Sequence, residues 1–163
     1  HSSKDAAWVE HLRQQAEASG VRTYLAEHDV SPGLLLSDKV TSNIESSDAV
    51  LVLLTNNSWQ SAYVQQEIGL ALHAGKLVIP IVTADAAHLD LGLLAGVEYI
   101  ALDPEAPQEA LAKLSATLTT FARKREAAAD RQASLQREAA RRQLQFMVAG
   151  LAVVFGLLIL AEQ

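Results

Sequence analysis

The sequence predicts an α/β domain built on a parallel sheet. Three observations carry this: two uninterrupted apolar runs, Ala49–Leu54 and Leu77–Val82; amphipathic helical stretches on either side of each; and turn residues between them. Parallel sheets bury their strands on both faces, so such strands read as continuous rather than alternating apolar runs. Strands that alternate with helices wind through right-handed crossovers into a sheet covered by helices.

Taken in order, Trp8, Val9, Leu12 and Ala16 share a helical stripe, which places a first helix over residues 4–19 with Asp5 at its start to cap or charge the first turn and Gly20 as terminator. Val21–Ala26 reads as a short strand, and His28–Gly33 carries the Pro-Gly chemistry of a loop. A second helix from Ser37 turns Val40 and Ile44 inward, and the strand Ala49–Leu54 follows. A small polar loop, Thr55–Ser58, leads to a helix with Val64, Ile68, Ala71 and Leu72 on one face, ended by Gly75. In the strand Leu77–Val82, Pro80 favours an edge or a bulge. Asp85–Leu94 is a weaker helical piece, and Val97–Leu102 a last strand. From Pro107 a long helix presents Leu111, Leu114, Leu118 and Phe121, then loses its apolar face in an Ala/Arg/Gln/Glu segment reaching Gln145.

Charge divides the chain. Residues 1–122 hold six Lys/Arg against fifteen Asp/Glu, and residues 123–145 hold seven Lys/Arg against three Asp/Glu. An acidic globular part repels nucleic acid, which excludes it as the expected partner, while a basic run before an apolar segment suits an anionic membrane surface. Phe146–Ala161 has no polar side chain and extends about 24 Å as a helix at ~1.5 Å per residue, near the lower limit for crossing a bilayer once residues 144 and 145 are added. The expectation is a domain over 1–122, a basic helical stalk over 123–143 and a single transmembrane helix over 144–161. Because the basic residues precede the span, the positive-inside rule puts the domain in the cytoplasm. The chain contains no cysteine, which removes thiolate chemistry and disulfides.

Few catalytic patterns are present. There is no Gly-rich phosphate loop, no nucleophile elbow and no His/acid cluster at metal spacing, so no metal or bound cofactor is expected. Single carboxylates remain. Glu67 lies in an early helical turn just after a polar loop at a strand's carboxyl end, the rim where ligands bind in open α/β sheets. Position alone is also consistent with a surface carboxylate that compensates the helix dipole.

Several motifs, in order, resemble the boxes of the Toll/interleukin-1 receptor (TIR) domain family. His1-Ser2-Ser3-Lys4-Asp5-x-x-Trp8-Val9 is similar to the end of the first box in bacterial members, and Asp29-x-x-Pro32-Gly33 to the second. Ser58-x-x-Ser61-x-Tyr63-Val64-x-x-Glu67 resembles the Ser-x-Trp-x-x-x-Glu helix start, with Tyr63 in place of Trp, and Gly75-Lys76-x-Val78-Ile79-Pro80-Ile81 resembles the fourth strand. The resemblance implies a flavodoxin-like five-stranded parallel sheet in the order 2-1-3-4-5. The family's first strand is missing from this chain, so apolar residues are expected upstream of His1. It also implies one of two functions. Many members cleave the nicotinamide–ribose bond of NAD as hydrolases or cyclases, often in immune or anti-phage signalling. Others act without catalysis through homotypic assembly, and a homo-oligomer through TIR–TIR contacts is expected in either case. In the enzymes the glutamate matching Glu67 is catalytic, and by the resemblance Ser2, Ser3, Asp29, Ser58 and Tyr63 are the candidate substrate-binding residues, with NAD as substrate. Oxocarbenium character develops on the ribose during cleavage, and one carboxylate is suited to stabilise it.

Overall fold

The computed structural model describes residues 5–25, 36–59, 61–86 and 91–161, the last of these without side chains from 148 onward. The chain forms two compact units, residues 1–119 and 120–163.

In the first unit, α1 spans Ala6–Ala18, α2 Leu36–Ser46, β1 Ala49–Leu54, α3 Ala62–His73, β2 Leu77–Thr83 and β3 Ile100–Leu102, with a short 3-10 turn at Gly92–Leu94. The helix α4, Gln108–Ala161, begins in this unit and continues into the second. The sheet is parallel throughout, in the order β1-β2-β3, with Ala49 opposite Leu77 and Ile81 opposite Ile100. Alternation along the strands sorts the core into two layers. Val52 and Leu54 of β1 and Val78 and Val82 of β2 face α2 and α3, joining Val40, Ile44, Val64, Ile68 and Ala71. Leu53, Ile79 and Ile81 face the other way, onto Leu12 and Ala16 of α1 and Ala110, Leu114 and Leu118 of α4. Each layer holds one of the two tryptophans at its margin: Trp59 in the first and Trp8 in the second.

Helix ends follow local chemistry. Gly20 and Gly75 take φ of 81° and 65°, the left-handed conformation that closes α1 and α3. Past these glycines, the Val21 and Lys76 amides reach back to the Ala16 and Ala71 carbonyls. Lys76 also donates its Nζ to the Glu45 carbonyl at 2.5 Å, joining the end of α3 to that of α2.

Several expectations are corrected. The sheet has three strands among the described residues, not five. Residues 21–25 are irregular, because their backbone has no ladder partner there; residue 26 lies outside the described residues. The helix expected over Asp85–Leu94 is reduced to the 3-10 turn, with residues 87–90 outside the described ones, and the last strand is shorter than expected. Pro80 stands in the central strand, yet β3 pairs with β2 only from Ile81, so among the described residues no strand on that side calls for the missing N–H. Asp5 makes no side-chain hydrogen bond that caps α1.

The largest correction concerns the membrane. Among the described residues no helix is long and apolar enough to cross one. The expected span over 144–161 rests on the run 146–161, whose length of about 24 Å falls short of a hydrocarbon core of roughly 30 Å. Its side chains from 148 onward lie outside the described ones. The transmembrane helix, the single-pass topology and the cytoplasmic orientation derived from it are therefore not retained.

Candidate functional site

The loop after β1 and the first turns of α3 hold the candidate residues that the structure describes. Two polar groupings meet in this region, and they differ in what they leave free.

The first is a buried network. Ser58 is fully buried; its Oγ accepts the Thr55 amide at 2.8 Å and donates to the Leu53 carbonyl at 3.0 Å. The Thr55 hydroxyl accepts the amides of Asn57 and Ser58 and donates to Asp5 Oδ2 at 2.8 Å. Asn57 Nδ2 donates to the other Asp5 oxygen at 3.2 Å. Asp5, 6% exposed, thus spends both carboxylate oxygens on the loop 50 residues away instead of on its own helix. On the outer side Asn56 donates to Asp85 Oδ2 at 2.8 Å, and the Thr83 hydroxyl bonds the same carboxylate, which ties the loop to the end of β2. Buried polar groups require such pairing, and this set is closed.

The second grouping is open. Ser61 is the N-cap of α3, its Oγ accepting from the Val64 amide. Val64 and Ile68 are 1% exposed and fix the inward face of the helix. Tyr63 and Glu67, each one residue earlier, lie together on the shoulder of that face at i and i+4. Tyr63 is 39% exposed and Glu67 is half-buried. Burial pushes the Glu67 carboxyl above the usual carboxylate range. The Tyr63 phenol is raised by its own burial, then by the adjacent Glu67 charge, and last by Tyr24.

Tyr24, 44% exposed in the segment after α1, is the neighbour that sequence reasoning missed. Its segment is held by Thr23, whose hydroxyl donates to Glu17 of α1 at 2.6 Å; Glu17 is braced by Arg13, and Arg13 by Glu10. The only advance signal was the position of Tyr24 just before the loop resembling the second box. Asp5 was also missed as a loop anchor, because no local pattern announces a contact across 50 residues.

Of the expected site residues, Tyr63 and Glu67 are brought together. Ser58 belongs to the closed network and presents no free hydroxyl. Ser2, Ser3 and Asp29, with the Pro32-Gly33 loop, lie outside the described residues. No group of three or more His, Cys, Asp or Glu residues among the described ones forms a metal-holding cluster. The concavity lined by Leu135, Ala139, Arg142, Phe146 and Met147 runs along a single helix of the second unit. All five residues are exposed there, so it encloses nothing.

Residues 1–115 match the family described as TIR domain. No curated protein matches the chain.

Proposed function

The chain belongs to the TIR domain family, and from that premise we propose that it cleaves the nicotinamide–ribose bond of NAD, as the bacterial members it resembles do, with Glu67 as the catalytic carboxylate. The observation that supports this reading is the environment of Glu67. Its carboxyl is half-buried, with burial raising it and the Tyr63 ring one helical turn away, on a helix that follows the carboxyl-end loop of β1. Raised carboxylates that keep a path to solvent concentrate at reactive sites.

In this reaction the bond from the ribose anomeric carbon to the nicotinamide nitrogen breaks, and its electron pair leaves with nicotinamide. Positive charge develops on the ribose, and the Glu67 carboxylate stabilises it. Water then adds to the anomeric carbon and loses a proton, giving ADP-ribose; attack by a group of the substrate itself gives a cyclic product instead. Tyr63 offers an aromatic face beside the carboxylate. Ser2, Ser3 and Asp29 complete the proposed substrate contacts. Ser58 acts behind them, by holding the loop.

A second reading, signalling by homotypic assembly without catalysis, is favoured by an apolar strip on α3. Leu93 lies over Gly69 and is 56% exposed, and Leu72, one turn further along the helix, is 38% exposed. Assembly and catalysis are compatible, and NAD turnover decides whether assembly is the whole function. The test is NAD consumption by the purified full chain at high concentration beside Glu67→Ala, with equal folding verified by circular dichroism. Turnover lost only in the variant supports the enzyme. No turnover in either protein, with self-association intact, overturns the enzyme in favour of the scaffold.

A further inference from the structure

The second unit presents a face that nothing among the described residues covers. From Phe121, steps of four and three residues run in strict alternation along α4 through Ala128, Leu135 and Ala139 to Phe146. We propose that this seam docks a second copy of the chain, with the two α4 helices antiparallel. The inference is independent of NAD cleavage, and its surface is not the apolar strip on α3.

Exposure and spacing point to a helical partner. Leu135 is 67% exposed and Phe146 78%, and Ala128 and Ala139 are exposed as well. Residues 123–145 hold ten charged side chains, and only Arg125 and Arg142 fall on the seam. A repeat averaging about 3.5 residues keeps a stripe facing another helix, whereas the period of about 3.6 of a lone straight helix carries such a stripe around its surface.

The sequence of the seam then selects the partner. Reversed onto itself with Gln132 opposite Leu135, it meets in matched layers, Ala128 on Ala139 and Phe121 on Phe146. In that register Arg131, which flanks the seam, comes beside Glu138 of the other chain, and two-fold symmetry makes this pair twice. Parallel pairing instead brings Arg131 beside Gln136 and Glu138 beside Gln143, with no ion pair. Both orders oppose arginines at 125 and 142, whose stems cover the seam while the guanidinium heads reach water. Only the antiparallel order adds opposite charges. Exposed pairs contribute little strength, so Arg131 and Glu138 set orientation while the apolar layers hold the helices together.

The experiment is analytical ultracentrifugation of the full chain over a range of concentrations. Wild type is expected to sediment as two chains in equilibrium with one. Leu135→Lys is expected to weaken self-association at least about tenfold, as loss of a central interface anchor does. Leu135 is exposed in the single chain, so the helix is expected to survive, and circular dichroism checks this. Arg131→Glu is expected to weaken association less, and Arg131→Glu combined with Glu138→Arg to restore it. Residues seven apart are not neighbours on one helix, so this rescue reports a contact between chains. Orientation is read by disulfide trapping, because the chain contains no cysteine. An oxidised mixture of Ala128→Cys and Ala139→Cys chains is expected to link across the two variants in preference to linking either variant to itself. Preferential self-linking overturns the antiparallel order. A single sedimenting chain at every concentration overturns the second copy as occupant. Association that survives Leu135→Lys but is lost in Leu93→Glu places the contact on the α3 strip and overturns the proposal as well.

Discussion

Two carboxylates stand near the carboxyl end of β1 and behave in opposite ways. Asp5 is buried and receives a donor on each oxygen, from Thr55 and from Asn57. Glu67 is half-buried, and burial raises its carboxyl above the usual range. The difference teaches how a structural carboxylate is told from a reactive one. A buried carboxylate already paired on both oxygens offers little to a ligand, while a carboxyl raised by burial and still open to solvent has free energy to gain from a cationic partner. Sequence position does not separate the two, since both lie in stretches that resemble family boxes.

The comparison breaks first at Glu67. Glu67→Ala is expected to reduce NAD turnover by at least about a hundredfold, as removal of one electrostatic stabiliser does, with little change in melting temperature. A comparable loss of turnover in Asp5→Ala at full folding would erase the distinction. Asp5→Ala is instead expected to act on stability: it strands the Thr55 hydroxyl and the Asn57 amide, at a cost of roughly 2–4 kcal/mol in chemical denaturation. Ser58→Ala removes the acceptor of the Thr55 amide and is expected to cost ~1–3 kcal/mol, with turnover per folded molecule reduced much less than by Glu67→Ala.

A smaller effect sharpens the contrast through pH. Because burial raises the Glu67 carboxyl above its unfolded value, the folded chain holds the proton more tightly than the unfolded one. The stabilising contribution is therefore complete below the ordinary carboxylate range and is lost as pH rises through the raised value. Glu67→Gln is expected to melt higher than wild type at neutral pH, and the difference should vanish in acid. Equal melting temperatures at both pH values would show that Glu67 is not strained by its site. The smallest effect is expected on the surface of α1, where Glu17→Ala breaks an exposed pair with Arg13 and should leave the melting temperature close to wild type.

How far the sequence could be read follows from the range of the interactions. β1 was legible to the residue, and β2 nearly so, because a run such as Leu51-Val52-Leu53-Leu54 has no other economical burial in an α/β domain. The ends of α1 and α3 were legible from Gly20 and Gly75, whose chemistry is local. Val21–Ala26 was read as a strand, but a strand is completed by its neighbour, which sequence pattern does not supply, and residues 21–25 are irregular. Asp5 was read as capping or charging the first turn of α1 for a similar reason: the local role was visible, and the partners 50 and 52 residues away were not. The Tyr63–Glu67 spacing was visible throughout, whereas the burial that gives it chemical meaning appears only when Val64 and Ile68 enter the core. The reading failed most widely at the C-terminal run, where composition was taken for a span that no described helix provides.

The placement of the two tryptophans has a practical consequence. Trp8 borders the layer between the sheet and α1/α4, and Trp59 borders the layer between the sheet and α2/α3. Each face of the sheet therefore contains its own intrinsic fluorophore. In Trp8→Phe only the α2/α3 side is seen by emission, and in Trp59→Phe only the α1/α4 side. Coincident unfolding curves from the two variants would identify the sheet as one cooperative element; separated curves would resolve the order in which its two coverings come away.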